Sequence, residues 1–552
     1  MFRKNNSHDQ ERLFSHFEDL DTRLKKRLLK TWAPLFYEHV FCQIDEAPFA
    51  ALYCDDNGRP NFPINILLSL EFIKHWKDLT DEELLEQASF NYQVAYAIGL
   101  RNLGEEYIAS RTLYNFRERV YRHTLANQET GDLIFDQFVK LTNHFLELAQ
   151  VKTDEQRMDS TFVSPNIQKV GRMALAFDVL LHAVEQCPEE ILPDNLREVA
   201  TPVFKTNLLY KTKASGTQSR LESLLELSVQ LLDLVNDKEE LASSQPLLLL
   251  ARFLREQGIW SEEDRKWKAR ENKDMSADSL QSAHDADATY RKKGNHTSSG
   301  YVCNLTETCS KDNEAQLITD YVLEPNTTSD STMIQNQLPG IKERTDLKNL
   351  YTDGGYYGES VDEIAREKKV DLHFSAMTGK KPNPNKMTFD QFEIDQRQRI
   401  LTCPEKQAPC RVAFDQQSKT LSAHFDVEIC KSCPRLEECP VKLQKKQAVI
   451  RVSQKRLLSD ETRTKLEAGG RQEATNRRAA IEGTNSALKR GQGLDKLQVC
   501  GINKCRVVVG LKVIGRNFQQ TLHCLNRQFK KLGRALANPD HKLPDQGVSL
   551  TC

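Results

Sequence analysis

Residues 477–491 read RRAAIEGTNSALKRG, and within that run Arg478, Glu482 and Lys489 are spaced by 4 and then 7 positions. On an α-helix of ~3.6 residues per turn, these spacings bring the three side chains onto one face in the order base, acid, base. Metal-assisted cutting of a phosphodiester needs a carboxylate flanked by cations, because the acid holds a divalent ion while the cations grip neighbouring phosphates. A solvated helix laced by i,i+4 pairs presents the same face. The reading therefore turns on what the rest of the chain brings to this helix.

Charge is gathered around it. The 552 residues carry a net charge of −1, yet residues 441–534 hold 22 Lys+Arg against 6 Asp+Glu, leaving 55 against 72 elsewhere. Such an excess is a footprint for a polyanion, and nucleic acid is the commonest large one. The length exceeds one ordinary core, so roughly two to four domains are expected. The opening MFRKNNSHDQERLF has no apolar signal segment, and no run reaches the ~18 apolar residues of a membrane span. The expectation is a soluble, cytoplasmic protein with no membrane partner.

Two further acids lie on elements that can meet the Glu482 helix. QRMDSTFV (156–163) alternates as a strand, with Met158, Ser160 and Phe162 on one side and Asp159, Thr161 and Val163 on the other. NLYTDGGYYG (349–358) reads as a strand ending in a Gly-rich turn that exposes Asp353. GYVCNLTET (300–308) and QLITDYVLE (316–324) form a hairpin pattern, and VDLHFSAM (370–377) another strand. These runs make a mixed α/β domain that opens with Asp159 and closes with the Glu482 helix. Three carboxylates from separate elements suit two hard divalent ions, such as Mg²⁺, sharing a phosphate.

Around this domain the chain divides. Residues 1–150 read as helical, through PINILLSLEFIKHW and LTDEELLEQASFNYQVAYAIGL, with Thr80 as an N-cap and Glu83 completing a capping box. Ser110 is expected to cap a short helix bearing Arg111, Arg117, Arg119 and Arg122 among Tyr114, Phe116 and Tyr121; several short helices ending in this basic one suggest a helix-turn-helix-like DNA-binding unit, with a purely structural helical bundle as the alternative. A helical insertion occupies about 165–295, with an apolar stripe of Leu221, Leu224, Leu225, Leu232 and Val235, a buried run Leu247 to Leu250, and a charged linker from about 260. Residues 378–400 are a Pro/Lys/Asn-rich connector. In the last helix Val507, Leu511, Ile514 and Phe518 share an apolar side, while Lys504, Lys512 and Arg516 are candidates for lining a DNA channel. Residues 535–552 read as a flexible tail.

Fourteen cysteines in a chain of this kind point to thiols or metal rather than disulfides. Cys403, Cys410, Cys430, Cys433 and Cys439 cluster, and Cys403, Cys430, Cys433 and Cys439 are the favoured four for a tetrahedral Zn²⁺ in a small zinc-ribbon-like insertion at 378–440. Buried thiols without metal are the alternative.

RMDSTFVSPNI, DADATYRKKGNHTSSGYVCNLTET, YTDGGYYGES and RRAAIEGTNSALKRG follow one another in the order and local wording of bacterial insertion-sequence DDE transposases. The chain resembles most the group called IS-eleven-eighty-two-like, with an InsH-type N-terminal domain, over roughly residues 15–530. Related enzymes place the third acid in a pattern Y-(2)-R-(3)-E-(6)-K, matched here by Arg478, Glu482 and Lys489, with Thr475 at the Tyr position. The resemblance implies an RNase-H-like catalytic domain at 151–377 and 441–534, with Asp159, Asp353 and Glu482 as the metal-binding triad. It implies cleavage with Mg²⁺ or Mn²⁺ at the terminal inverted repeats of a transposon, joining of the 3′-OH ends to target double-stranded DNA, a homodimer on DNA, and nucleoid association. A non-catalytic, domesticated DNA-binding protein and a nuclease without integration activity are the alternatives.

Overall fold

The computed structural model describes residues 1–536 except 11–14, 55–57, 128–131, 212–213, 378–382, 384 and 396–398. The expected tail beyond Leu536 and part of the 378–400 connector lie outside them. The N-terminal region is helical and the region beyond it carries the sheets. Among the described residues, no helix is long and apolar enough to cross a membrane.

Helix Ile64–Lys77 is apolar on nearly every side and is buried from Ile64 through His75, as a central helix must be. Thr80 and Glu83 close the expected capping box on helix Asp81–Phe90, with Glu83 N donating to Thr80 Oγ1 at 3.2 Å and Thr80 N to Glu83 Oε2 at 2.8 Å. Helix Ser110–Ala126 is longer than its sequence promised, and its cap is Ala109, with Ser110 as its first residue. The long helix Ile502–Leu536 lies against helices Ile64–Lys77 and Leu133–Leu148. Val507, Leu511, Ile514 and Phe518 are buried there, and the Phe518 ring meets Trp76 and Phe36, each at 5.2 Å. Gly515 permits this approach, since a Cβ on it would sit 2.8 Å from that of Trp76. First and last helices thus share one core with the sheet.

Strand β1 (Glu155–Val163) starts that sheet, in the segment where alternation placed it. The helical insertion follows, and helices Arg172–Gln186, Thr217–Val235 and Gln245–Gln257 build a core of their own. Leu221, Leu224, Leu225 and Val235 are buried there as expected, with Leu231 in place of the partly buried Leu232. Leu248 departs from the expected buried run and is 50% exposed. The supposed charged linker contains a hairpin, β2 (Gly258–Ser261) and β3 (Lys266–Ala269), and then strand β4 (Thr289–Lys293). Charge misled here because a two-stranded ribbon leaves most of its side chains in water.

Strands β5 (His296–Thr308), β6 (Ile318–Pro325), β7 (Asn349–Thr352) and β8 (Asp371–Phe374) complete the sheet. β1 and β6 pair antiparallel to β5, whereas β7 pairs parallel to β1 and β8 parallel to β7. Helices Asp330–Arg344 and Glu359–Lys368 make the parallel connections and cover one face over Met158, Leu350 and Phe374.

Beyond β8 lies a smaller β unit. β9 (Glu393–Ile394) pairs β10 (Ile400–Thr402), while β11 (Arg411–Asp415), β12 (Thr420–Phe425), β13 (Lys442–Leu443) and β14 (Ala448–Ser453) form a four-stranded sheet in the order β11-β12-β14-β13. The boundary expected at 440 falls inside this sheet, because Ala448, Ile450 and Val452 pack with Leu421 and Phe425. Helix Gln454–Lys465 returns the chain to the larger sheet. The stretch read as one helix is two, Arg471–Ala479 and Ile481–Gln492, meeting at Ala480.

Candidate active site

Asp159 projects from the middle of β1, on the face opposite Met158, toward helices Arg471–Ala479 and Ile481–Gln492. Its Oδ1 accepts from Arg478 Nη1 at 3.2 Å and its Oδ2 from Asn485 Nδ2 at 3.2 Å. Arg478 Nη2 also donates to Glu482 Oε1 at 3.3 Å. The break at Ala480 thus leaves the expected i,i+4 pair intact. Asp353 directly follows β7 and caps a single turn, its Oδ1 accepting from Gly355 N at 2.7 Å. Gly354 is required here, because a Cβ would come within 2.5 Å of Ala376 O. Burial pushes the Asp159 carboxyl up to about 6; Arg478 opposes this, while the Asp353 and Glu482 carboxylates reinforce it. All three acids therefore act on one locality.

Among the described residues, no three His, Cys, Asp or Glu side chains stand ready to chelate an ion. At this locality the Arg478 guanidinium bridges Asp159 and Glu482. The donor chemistry fits a hard divalent cation all the same: three carboxylates, and beside Asp159 a buried Asn485 Oδ1 that lacks a hydrogen-bond partner.

Several residues that build the site escaped the sequence reading. Glu307 on β5 accepts from Arg157 of β1 at 2.6 and 2.8 Å and from Thr484 Oγ1 at 2.6 Å, so one carboxylate ties two strands to the Glu482 helix. Arg477 adds bonds to Glu155 at 2.9 Å and to Cys309 O at 2.8 Å. Asp330 accepts from Ser160 Oγ at 2.8 Å, next to Asp159 in the chain. Behind the Asp353 turn, Tyr356 donates to Asn304 at 2.5 Å, Asn304 to Gln337 at 2.6 Å, and Gln337 to Asp320 at 2.7 Å. Glu307 sits inside the quoted run GYVCNLTET, where it is the one charged residue, and that lone charge was the available signal.

The other expected cations divide. Lys489 lies on the Glu482 helix and pairs with Asp495 at 3.3 Å. Arg111 and Arg119 are exposed, with Arg119 over the Tyr53 ring at 4.6 Å. Arg117 turns inward instead, bonding Glu71 at 2.8 Å and Asp81 at 2.7 and 2.8 Å. Lys512 is buried against Asp78 at 3.1 Å and is not a channel residue. Thr475 is exposed and bonds the Arg471 carbonyl at 2.7 Å. Of the clustered cysteines, Cys403, Cys430, Cys433 and Cys439 line one cavity, and Cys410 is not among its lining residues.

Comparison with known families adds to this geometry. Residues 402–522 match a family described as a transposase DDE domain, and residues 23–119 match one described as a transposase domain (DUF772). Both matched stretches are thus similar to parts of DDE-type transposases. No curated protein and no solved structure matches the chain.

Proposed function

We propose that the chain cuts DNA at the terminal inverted repeats of an insertion sequence and joins the freed 3′-OH ends to target DNA, with Asp159, Asp353 and Glu482 as its catalytic acids. The observation that carries this reading is the meeting of Asp159, Arg478 and Glu482, with Asp353 at the end of the strand beside β1. The strand order β6-β5-β1-β7-β8, in which the last two run parallel to β1, supports an RNase-H-like assignment for this domain. Mg²⁺ or Mn²⁺ held by the acids would activate the attacking oxygen and stabilise the leaving one.

The chain's own groups set the rest. Arg478 neutralises two of the acids and lies where it can turn to a phosphate. Lys489, on the same helix, is a second phosphate cation, and Arg111 and Arg119 offer exposed charge on the N-terminal helices. Duplex DNA is the partner, and two copies of the chain would bring two transposon ends together.

The test incubates full-length protein with linear DNA bearing the element's ends, with Mg²⁺ or Mn²⁺. Cleavage and joining are expected, and Asp159→Asn, Asp353→Asn and Glu482→Gln should each abolish joining while leaving DNA binding intact. An active variant would remove that acid from the triad. Cutting without joining would leave a nuclease, and binding without cutting under every condition a non-catalytic DNA-binding protein.

A further inference from the structure

We propose that Cys403, Cys430, Cys433 and Cys439 bind one structural Zn²⁺ ion that staples the small β unit between Asp353 and Glu482. The site is separate from the triad and does not rest on it. The four thiols come from two places in the chain. Cys403 directly follows β10, and a tight turn holds it: Lys406 N donates to Cys403 O at 2.8 Å, Cys403 N donates to Gln407 O at 2.9 Å, and Lys406 takes a left-handed φ of 57°. Cys430, Cys433 and Cys439 come from the link between β12 and β13. There Cys433 N donates to Cys430 O at 3.3 Å and Cys439 N to Arg435 O at 3.0 Å.

These segments meet at a cavity of about 230 Å³, lined by all four cysteines together with Phe425, Leu436 and Ile450. Cys403, Cys430 and Cys439 also pack against the apolar core of the unit. Cys410 is exposed, and its N–H is tied to His424 O at 2.7 Å, away from the cavity. The fold therefore selects four of the five clustered cysteines. All four are free thiols. Among the described residues these thiols do not already form a chelating group, so the ion would close the site by drawing the thiolates in and releasing their protons.

The unit's size supplies the reason. Its strands are short, down to two residues in β9 and β13, and its buried core runs to little more than Phe389, Phe392, Leu421, Phe425 and a few aliphatic neighbours. Cores this small are generally stapled by a metal or by disulfides. Four thiolates on two turns are the soft tetrahedral set that selects zinc.

The full-length protein, purified from zinc-supplemented cells, should contain one zinc per chain by elemental analysis. Cys410→Ser should keep it, and Cys430→Ser/Cys433→Ser should lose it. Zinc retained by the double variant, iron in place of zinc, or no zinc in the unaltered protein would each overturn the proposal. If the double variant does not fold, the unaltered chain exchanged with Co²⁺ decides: thiolate-to-cobalt bands of a tetrahedral sulfur site support the assignment, and their absence refutes it.

Discussion

Glu307→Gln is the most exacting perturbation of the site's scaffold. The side chains of Arg157 and Glu307 are only 8% and 2% exposed, and their contact is 2.6 Å. Burying such a pair gains little net energy, but removing one charge leaves the other unpaired in a dry environment, at a cost of about 3–5 kcal/mol. The amide cannot serve Arg157 and Thr484 as the carboxylate does, so β1 and the Glu482 helix lose a shared anchor. At about 3 kcal/mol the loss is on the order of 10²-fold in local opening. Hydrogen exchange read by mass spectrometry over 155–163 and 481–492 should show amide protection falling by that factor in both segments, with the insertion helices unaffected. Arg157→Met/Glu307→Leu should recover most of it, since an apolar pair of similar volume removes the stranded charge. Protection unchanged in Glu307→Gln, or a double variant worse than the single, would refute the reasoning.

Other substitutions separate structural cations from DNA-facing ones. Arg117→Met should destabilise the N-terminal helices by about 3 kcal/mol without altering the salt dependence of DNA binding, whereas Arg111→Ala should lower the slope of log K against log salt by about one; both are read from denaturation and from binding titrations. His75 is buried, and burial lowers its pKa to about 4 against the pull of Glu71. The unfolded ring takes its proton near pH ~6.5, so stability should fall as pH drops from about 6.5 to about 4, by at most about 3 kcal/mol. Trp32 and Trp76 fluorescence during urea unfolding reports this, and a pH profile that His75→Gln does not flatten would exclude it. Gly515→Ala should cost about 1–3 kcal/mol through its clash with Trp76, seen as a lower thermal midpoint.

What the sequence made legible was local and periodic. Alternation located β1 and set Asp159 opposite Met158, the Thr80–Glu83 spacing announced its capping box, and a 3.6-residue stripe identified the buried side of the last helix. What it hid was long-range pairing. The partners of Arg117 are 46 and 36 residues away, and Glu307 lies 150 residues from Arg157 and 177 from Thr484. Nothing in a basic helix says which of its arginines will find a buried acid. Composition misled where ribbons stay solvated, as at β2 and β3. The 440 boundary failed because β14 pairs with β12 and β13 with β14, which long-range pairing decides and local pattern does not. The break at Ala480 left no trace in the sequence, because RRAAIE around it is made largely of good helix formers.

The three acids are therefore held by different parts of the molecule. Asp159 depends on β1, which is packed on both faces. Asp353 depends on a Gly-Gly turn backed by the Tyr356–Asn304–Gln337 chain of hydrogen bonds. Glu482 depends on a helix whose start is tied to the sheet through Thr484 and whose end meets the N-terminal helices, where Lys512 bonds both Asp78 and the Gln492 carbonyl. Asp78 ends helix Ile64–Lys77, within the part of the chain that carries the exposed Arg111 and Arg119. The N-terminal helices are thus joined to the Glu482 helix through Asp78, Lys512 and Gln492, a connection that does not run through the sheet. Of the three acids, Glu482 is the one carried by an element bonded toward the N-terminal helices, and Arg478, bonded to both Glu482 and Asp159, links that element to β1.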